Sequence, residues 1–250
     1  MALLQDKTVL ITGAGCGIGR ACAELLGKKK ANVIIADIDY ESALSVHENM
    51  KKRGHSSFPV FVDVSIEKDV KSMISKSMRH FNIDHIDILI NNAAIQTTSS
   101  FFELSDEAWR RTLDVNLTGI FLCSKEVARG MKKGGKIINM LSSHYKIPRL
   151  NKMHYDSAKA GAAMLTKEMA LALYPYGITV NAISYGAAKT PMNIDWINDN
   201  EKVNMVLEKI PLKIIFQPTQ IAKFTYEILL KFADSTTGSI FTVDGGRSLI

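Results

Sequence analysis

Short, unbroken apolar runs alternate with longer amphipathic stretches along most of the chain. Thr8 to Thr12 is such a run, ends in a cluster of glycines, and is followed by a helical pattern from about Gly17 to Lys30. The alternation continues with a strand at 32–36, a charged helix at about 40–53, a strand at 58–63, a helix at 67–81 and a strand at 86–90. A long helical stretch is predicted from about Asp106 to Lys132, with Gly119 inside it, and then a strand at 136–141. A helix at 154–174, a strand at 178–183 and a last strand at 240–243 complete the series. The strands lack the polar alternation of a sheet with one wet face, so both faces are expected to be covered. Strands separated by helices predict an α/β fold with a doubly wound parallel sheet, in which ligands bind at the carboxyl ends of the strands. No Gly/Pro/Ser-rich linker, internal repeat or low-complexity segment divides the chain, so a single domain over 1–250 is expected.

The first strand–turn–helix unit carries the strongest chemical signal. Thr12-Gly13-Ala14-Gly15-Cys16-Gly17-Ile18-Gly19 joins strand to helix. Glycines at such a turn let the backbone approach a pyrophosphate, whose charge then faces amide N–H groups and the helix N-terminus. The plainer reading is a turn built for tight strand–helix packing. Asp37 ends the second strand eighteen residues beyond Gly19, where a carboxylate can accept both hydroxyls of an adenosine ribose. A 2′-phosphate there would meet a repulsion of roughly 4 kcal/mol per pair of unit charges at ~4 Å and an effective dielectric of ~20. Cys16 and Ile18 flank the turn, and neither position 16 nor Ile38 offers a cation to offset that repulsion. The expectation is a Rossmann fold, three-layered α/β/α, that takes NAD rather than NADP.

Tyr155 and Lys159 are four residues apart in a predicted helix, which puts phenol and ammonium on one face. A free phenol titrates near ~10, and lowering it toward ~7 takes about 4 kcal/mol at 1.36 kcal/mol per unit. One close ammonium in a partly buried site supplies energy of roughly that size. Ser142, thirteen residues before Tyr155, adds a hydroxyl able to hold a substrate oxygen. Taken singly, the pair reads as surface packing and the serine as a strand-end cap. In this order, behind a dinucleotide turn, they read as machinery for moving a proton on and off an alcohol.

Together these residues match a family over nearly the whole chain, and the sequence resembles the classical short-chain dehydrogenases/reductases. The resemblance rests on Thr12-Gly-x3-Gly-x-Gly19, Asn91-Asn92-Ala93-Ala94, Asn116 in Val-Asn-Leu-Thr-Gly, Ser142 and Tyr155-x3-Lys159. It continues through Asn181-Ala-Ile-Ser-Tyr-Gly186 and Thr237-Gly…Val243-Asp244-Gly-Gly246. It implies catalysis by Asn116, Ser142, Tyr155 and Lys159, with Asn116 placing a water in the proton relay. It implies a cofactor site of Gly13, Gly15, Cys16, Gly17, Ile18, Gly19, Asp37 and Ile38, then Asp63 and Val64 flanking the adenine. Asn91 and Ala93 would hold the cofactor, Asn91 would also brace the central strand, and Ile183, Gly186 and Thr190 would lie at the nicotinamide end. Lys159 would also reach the nicotinamide ribose. Three positions depart from the pattern. Leu141 replaces the first of two serines, which leaves Ser143 open as an alternative to Ser142. Tyr185 stands where proline is common, adding a phenol near cofactor or substrate, and Ala94 replaces a glycine.

The stretch Ser142-Ser-His144…Pro148 with Ala172-Leu-Tyr-Pro-Tyr-Gly177 is most similar to the sugar and polyol branch typified by glucose 1-dehydrogenases. That branch implies a sugar or polyol substrate, with Gln96, His144 and Asn151 near its hydroxyls and Tyr155, Ser142 and Tyr185 around the reacting carbon. His144 is alternatively a solvated loop residue, and His154 is expected at the pocket edge or surface. Hydroxysteroid dehydrogenases and 3-oxoacyl-thioester reductases share the core motifs, although the latter usually prefer NADPH, which Asp37 disfavours. A non-catalytic dinucleotide-sensing or scaffolding protein is the reading from another class. The segment 187–216, with Met192, Ile194, Trp196, Ile197 and Met205, is expected to form a substrate lid. Family members usually form homotetramers, so a homotetramer or homodimer is expected.

Composition narrows the remaining possibilities. The chain has 250 residues, a formal charge of +6 and 46% hydrophobic residues, ordinary for a protein with a buried core. Its lysines are scattered over helices rather than gathered in a stripe, which argues against nucleic acid. Three scattered cysteines predict neither a disulfide framework nor a metal site and fit a cytoplasmic setting. The first strand begins within ten residues of Met1, and no apolar run reaches membrane-spanning length, so neither a signal peptide nor a membrane partner is expected.

Overall fold

The computed structural model describes residues 4–250. Its elements run β1 (Thr8–Thr12), α1 (Gly17–Lys28), β2 (Asn32–Asp37), α2 (Tyr40–Lys52), β3 (Ser57–Phe61), α3 (Glu67–Phe81), β4 (Ile88–Asn91), α4 (Asp106–Leu113) and α5 (Gly119–Ala128). They continue with β5 (Lys136–Ser142), α6 (Met153–Leu173), β6 (Thr179–Tyr185), α7 (Ile194–Ile197), α8 (Asn200–Glu208), α9 (Pro218–Lys231) and β7 (Ile240–Val243). The seven strands form one sheet in the order β3-β2-β1-β4-β5-β6-β7, and every pairing is parallel. The order reverses between β1 and β4, so the functional crevice opens beyond the carboxyl ends of these strands. The expected doubly wound α/β sheet is therefore present.

Both faces of the sheet are dry, for the reason its strands lack alternation. Val9 and Ile11 point into a core shared with α1, α2 and α9, whereas Leu10 between them points into a second core with α3, α5 and α6. Among the described residues no helix is long and apolar enough to cross a membrane.

A polar chain runs through the middle of this apolar packing. The Asn91 amide donates to Asn139 Oδ1 at 2.8 Å and to Ser124 Oγ at 2.9 Å, and the Asn139 amide donates to Thr166 Oγ1 at 2.9 Å. All four residues are buried. Side chains of β4, β5, α5 and α6 are thus fixed to one another directly beneath the cleft. Buried polar groups justify themselves only when paired, and these lock one register among interchangeable apolar contacts.

Two expectations about elements need correction. The long helix predicted from Asp106 to Lys132 is interrupted at Asp114–Thr118 by a wider turn, where the Gly119 N–H reaches back five residues to the Asp114 carbonyl, and it ends at Ala128. The wider turn seats Asn116 against the main chain of Ile95. Gly119 then passes so close to Val64 that a Cβ would lie 2.7 Å from its Cγ2. Helix α9 was not anticipated, although its start carries recognisable signals: Pro218 in the first turn and a reciprocal Gln217–Gln220 cap.

The polar chain yields a stability test. Asn139→Ala leaves the Asn91 amide with one partner fewer in the core, at a cost of about 1–3 kcal/mol. Urea denaturation checks it, and a loss below ~0.5 kcal/mol would show that the network holds nothing together.

Candidate active site

A cleft of about 530 Å³ opens at the carboxyl ends of the strands. One end is formed by the glycine turn. Gly13 and Gly17 have φ of 64° and 54°, the left-handed region that favours glycine. A Cβ on Gly19 would lie 2.1 Å from the Gly13 carbonyl oxygen, and one on Gly13 would lie 2.8 Å from Ala93 Cα. Only glycines let this turn fold so closely onto α1 and the end of β4.

The Asp37 carboxylate ties the turn to β2, since Oδ2 accepts from the Gly15 N–H at 2.8 Å and Oδ1 from the Asp39 N–H at 3.0 Å. It still lines the cleft, next to Ile38 and Cys16. Burial, then the carboxylates of Asp37 and Asp39, push the Cys16 thiol above its usual value and keep it protonated. Further along the wall, Asp63 pairs with Arg111 at 2.9 Å and accepts from Ser65 Oγ at 2.6 Å. Burial works against its charge, but these bonds outweigh it and hold the carboxyl below its ordinary range. A glycine cradle with two carboxylates beyond it suits a dinucleotide, with polar groups for the adenosine half.

The two neighbouring asparagines divide their work differently from the expectation. Asn91 faces into the sheet and is absent from the cleft wall. Asn92 lines the cleft, and its amide donates to the carbonyls of Thr12 and Gly13 at 3.0 and 2.9 Å. Thr12 Oγ1 accepts from the Asn92 and Ala93 N–H groups. The strand pleat explains the exchange, because successive residues point to opposite sides. Gly15, Gly19, Asn116 and Lys159 also stand behind the wall rather than on it, whereas Gly13, Gly17, Ile18, Val64, Ala93, Gly186 and Thr190 line it.

The other end of the cleft holds the hydroxyl groups. Ser142 is the last residue of β5 and lies in register with Tyr185 of β6. Tyr155 sits in the first turns of α6, 3% exposed, and lines the cleft with Ser142, whose Oγ accepts from the His144 N–H at 3.3 Å. Ser143 also reaches the cleft but opens the short turn that follows. Of the two serines, Ser142 is the one whose hydroxyl acts on the phenol.

Lys159 is fully buried one helical turn later, with Nζ donating to the Met140 carbonyl at 2.9 Å and lying 5.6 Å from the Tyr155 ring centre. Burial pushes Lys159 down to about 8. Burial pushes Tyr155 up to about 12, against the pull of the Ser142 hydrogen bond and the Arg149 charge. The expectation of a phenol brought toward neutrality by its lysine is not met in the free protein. Desolvation outweighs the groups that act on the phenol, and the Lys159 ammonium is committed to a main-chain carbonyl. Burial raises Tyr185 also.

The histidines and loop residues sort unambiguously. His144 lines the cleft with Nδ1 3.2 Å from the Ile147 carbonyl, and burial followed by the Arg149 charge pushes it down to about 4, so it is neutral. His154 is not a surface residue. It lies roughly 100° round the helix from Tyr155, is fully buried, and has Nε2 2.6 Å from Thr97 Oγ1. Gln96 lines the cleft, but Asn151 does not: it is an exposed loop-tip residue with φ of 62°, and its carbonyl accepts from the Ser99 N–H. Asn116 spends both ends of its amide on Ile95, accepting at 2.9 Å and donating at 2.8 Å, so it braces the wall.

The segment 187–216 leaves the sheet after β6 and is tied back near its ends, with the Leu212 N–H also donating to the Gly245 carbonyl at 3.0 Å. Ala188 bridges Phe216, the Phe216 N–H donates to the Ala187 carbonyl at 2.8 Å, and the Lys189 N–H donates to the Phe216 carbonyl at 2.9 Å. Between these pinned ends, Met192, Trp196, Met205 and Val206 present apolar surface to the cleft. The sequence did not point to Arg111, Arg149 or Arg247 on the cleft wall. They come from separate segments, and only folding brings them together.

Comparison with known proteins agrees with this geometry. A family model described as enoyl-(acyl carrier protein) reductase matches residues 13–248. Glucose 1-dehydrogenase 2 of Bacillus subtilis is 34% identical over 98% of this chain and 96% of its own. The 3beta-hydroxysteroid dehydrogenase 1 of Eggerthella lenta is 35% identical over 98% and 95%. Among solved structures, a gluconate 5-dehydrogenase from Burkholderia cenocepacia in complex with NADP and tartrate superposes with a TM-score of 0.92. It is 28% identical, with 100% of this chain and 98% of that one covered.

The buried phenol gives a direct test. Its folded value lies above that of a free phenol, so its contribution to stability is intact below pH ~10 and is lost as pH rises toward about 12. Difference absorbance between wild type and Tyr155→Phe should show this tyrosine still protonated at about pH 10.5. Ionisation at or below ~10 would contradict the assigned environment.

Proposed function

Since the chain belongs to the classical short-chain dehydrogenases/reductases, a family of oxidoreductases, we propose that it interconverts a secondary alcohol and a ketone, or a sugar hemiacetal and its lactone, using NAD. The observation that carries this reading is that Ser142 and Tyr155 line one end of a cleft whose other end is a glycine cradle. A bound nicotinamide dinucleotide supplies the two-electron redox partner, accepting or giving the hydride of the carbinol carbon. Gly13, Gly17, Asp37 and Asn92 would hold it, with Val64 and Asp63 at the adenine and Gly186 and Thr190 at the opposite end.

The protein's own contribution is proton handling. Ser142 donates to the substrate oxygen and stabilises its alkoxide-like charge. Tyr155 passes the proton to that oxygen in reduction and removes it in oxidation. Its neutral form is ready to donate, whereas the phenolate required for oxidation relies on Ser142 and on the positive charge of Lys159. Asn116 acts through Ile95, setting the wall opposite the pair. The segment 187–216 acts as a lid, because its pinned ends let the apolar part between them close over substrate and exclude water.

Asp37 supports NAD over NADP. Its carboxylate is held on the cleft wall by two amide donors, Ile38 beside it is uncharged, and Arg111 is committed to Asp63. The relative solved with NADP shows that NADP is taken within the family, and this carboxylate is what supports NAD here. A sugar or polyol fits the polar groups Gln96 and His144 near the reacting pair. The apolar lid wall of Met192, Trp196, Met205 and Val206 favours a second reading, a bulkier alcohol such as a hydroxysteroid. Exposed Phe121, Met164 and Leu171 on α5 and α6 fit burial against further copies in a homotetramer. Free cysteines, two of them buried, fit a cytoplasmic setting.

Two outcomes test the reading. Tyr155→Phe should abolish turnover by at least ~10³-fold and Ser142→Ala by ~10²-fold, with NADH binding retained in both, while Ser143→Ala costs little. If Ser143→Ala were the damaging change, the serine assignment would be reversed. Asp37→Ser should lower the NAD/NADP ratio of kcat/KM by tenfold or more, about 1.4 kcal/mol. An unchanged ratio would show that the carboxylate does not read the ribose.

A further inference from the structure

At the reacting end of the cleft two guanidinium groups share one space. Arg149 comes from the loop between β5 and α6, and Arg247 from the turn after β7, which packs against the turn at Ser143–Tyr145. Both line the cleft, and each is within electrostatic reach of the other. The Arg149 charge also acts on Tyr155, so the pair lies beside the atoms that handle the proton.

Among the described residues neither guanidinium touches an Asp or Glu carboxylate, although the Asp156 charge acts on Arg149 more strongly than that of Arg247. The Arg149 side chain donates to Gln96 Oε1 at 3.1 Å, and the Arg247 side chain donates at 2.9 Å to a main-chain oxygen of Ile250, the last residue of the sequence. The nearest acids are turned away. Asp156 Oδ2 accepts from the Arg149 main-chain N–H at 2.7 Å. Both Asp244 oxygens accept main-chain N–H groups, of Gly246 and Ser248, at 2.9 Å. Of the other cleft cations, Arg111 is paired with Asp63 at the adenosine end, Lys202 with Asp199 at 3.2 Å, and Lys209 follows α8 in the segment that covers the cleft. Both guanidiniums line the cleft with N–H groups that these bonds leave free, and burial works against the charge of Arg149. A planar anion between them offsets that cost and suits the fork geometry of arginine. Arg149 is pre-set for this by Gln96, and neutral His144 beside it adds no competing charge.

We propose that the alcohol accepted by this cleft is a hydroxy acid, its carboxylate held between Arg149 and Arg247 while its hydroxyl lies against Ser142 and Tyr155. The inference rests on the reading of the cleft as an alcohol-oxidising site and narrows its substrate class. The clamp fixes one end of the substrate and so orients the carbinol carbon at the other. Neutral sugars and polyols leave the two arginines unpaired and are poor substrates.

The test uses hydroxy acids with the hydroxyl two to five carbons from the carboxylate, each paired with its primary amide. Wild type should oxidise at least one acid with kcat/KM about 10²-fold above its amide. Arg149→Gln and Arg247→Gln should each erase most of that preference through KM. Calorimetry on Tyr155→Phe, which cannot turn over, should show the same acid binding at least tenfold more tightly than its amide, and losing this advantage when Arg149→Gln is added. Equal use of acids and amides, or a preference that survives both arginine substitutions, would overturn the clamp while leaving alcohol oxidation standing. Preferential acid binding by Tyr155→Phe with no oxidation of any alcohol by wild type would support the clamp and sink the oxidoreductase reading instead. Organic phosphate esters form a third arm, and a preference for them over carboxylates would overturn the hydroxy-acid assignment.

Discussion

The bond from Lys159 Nζ to the Met140 carbonyl sets the register on which the site depends. Met140 lies two residues before Ser142 on β5, and Lys159 lies one turn after Tyr155 on α6. Fixing helix to strand at that point brings the phenol over the serine. A fully buried ammonium cannot be left without an acceptor, so this contact resists sliding of α6 along the sheet. The neighbouring Asn139–Thr166 bond joins the same two elements deeper down. The catalytic geometry is thereby built into the core.

The price is electrostatic. Burial that fixes the two groups also favours their neutral forms, pushing the phenol up to about 12 and the amine down to about 8. The cleft is otherwise divided by charge. Carboxylates of Asp37 and Asp63 stand at one end, and Arg149 and Arg247 stand beside the hydroxyl pair at the other. Positive charge near Tyr155 opposes the cost of its anion, so the cations proposed to orient a substrate would also ease proton removal.

Much of this was legible in the sequence where one residue type answers one local demand. Gly19 could only be a close approach, and the apolar runs of β1, β2 and β5 could only be strands covered on both sides. The Tyr155–Lys159 spacing placed both groups on one helix face. What escaped was set by contacts between distant segments. Nothing local says that Asn92 rather than Asn91 faces the cleft, since that depends on the pleat at the end of β4. The wide turn at Asn116 answers to Ile95, and buried His154 answers to Thr97. Arg149 and Arg247 are almost a hundred residues apart, and each alone reads as a solvated loop cation. That the nearby carboxylates of Asp156 and Asp244 are bonded to main-chain amides becomes evident only in the fold.

We propose that the Ser142–Tyr155 end of the cleft removes a proton from an alcohol as its hydride leaves to NAD. Rapid mixing of the protein with NAD and a hydroxy acid, following NADH absorbance and proton release together, is the decisive measurement. Both signals should appear in equal amounts. Tight NAD binding with neither signal from hydroxy acids, sugars, polyols or hydroxysteroids would contradict it.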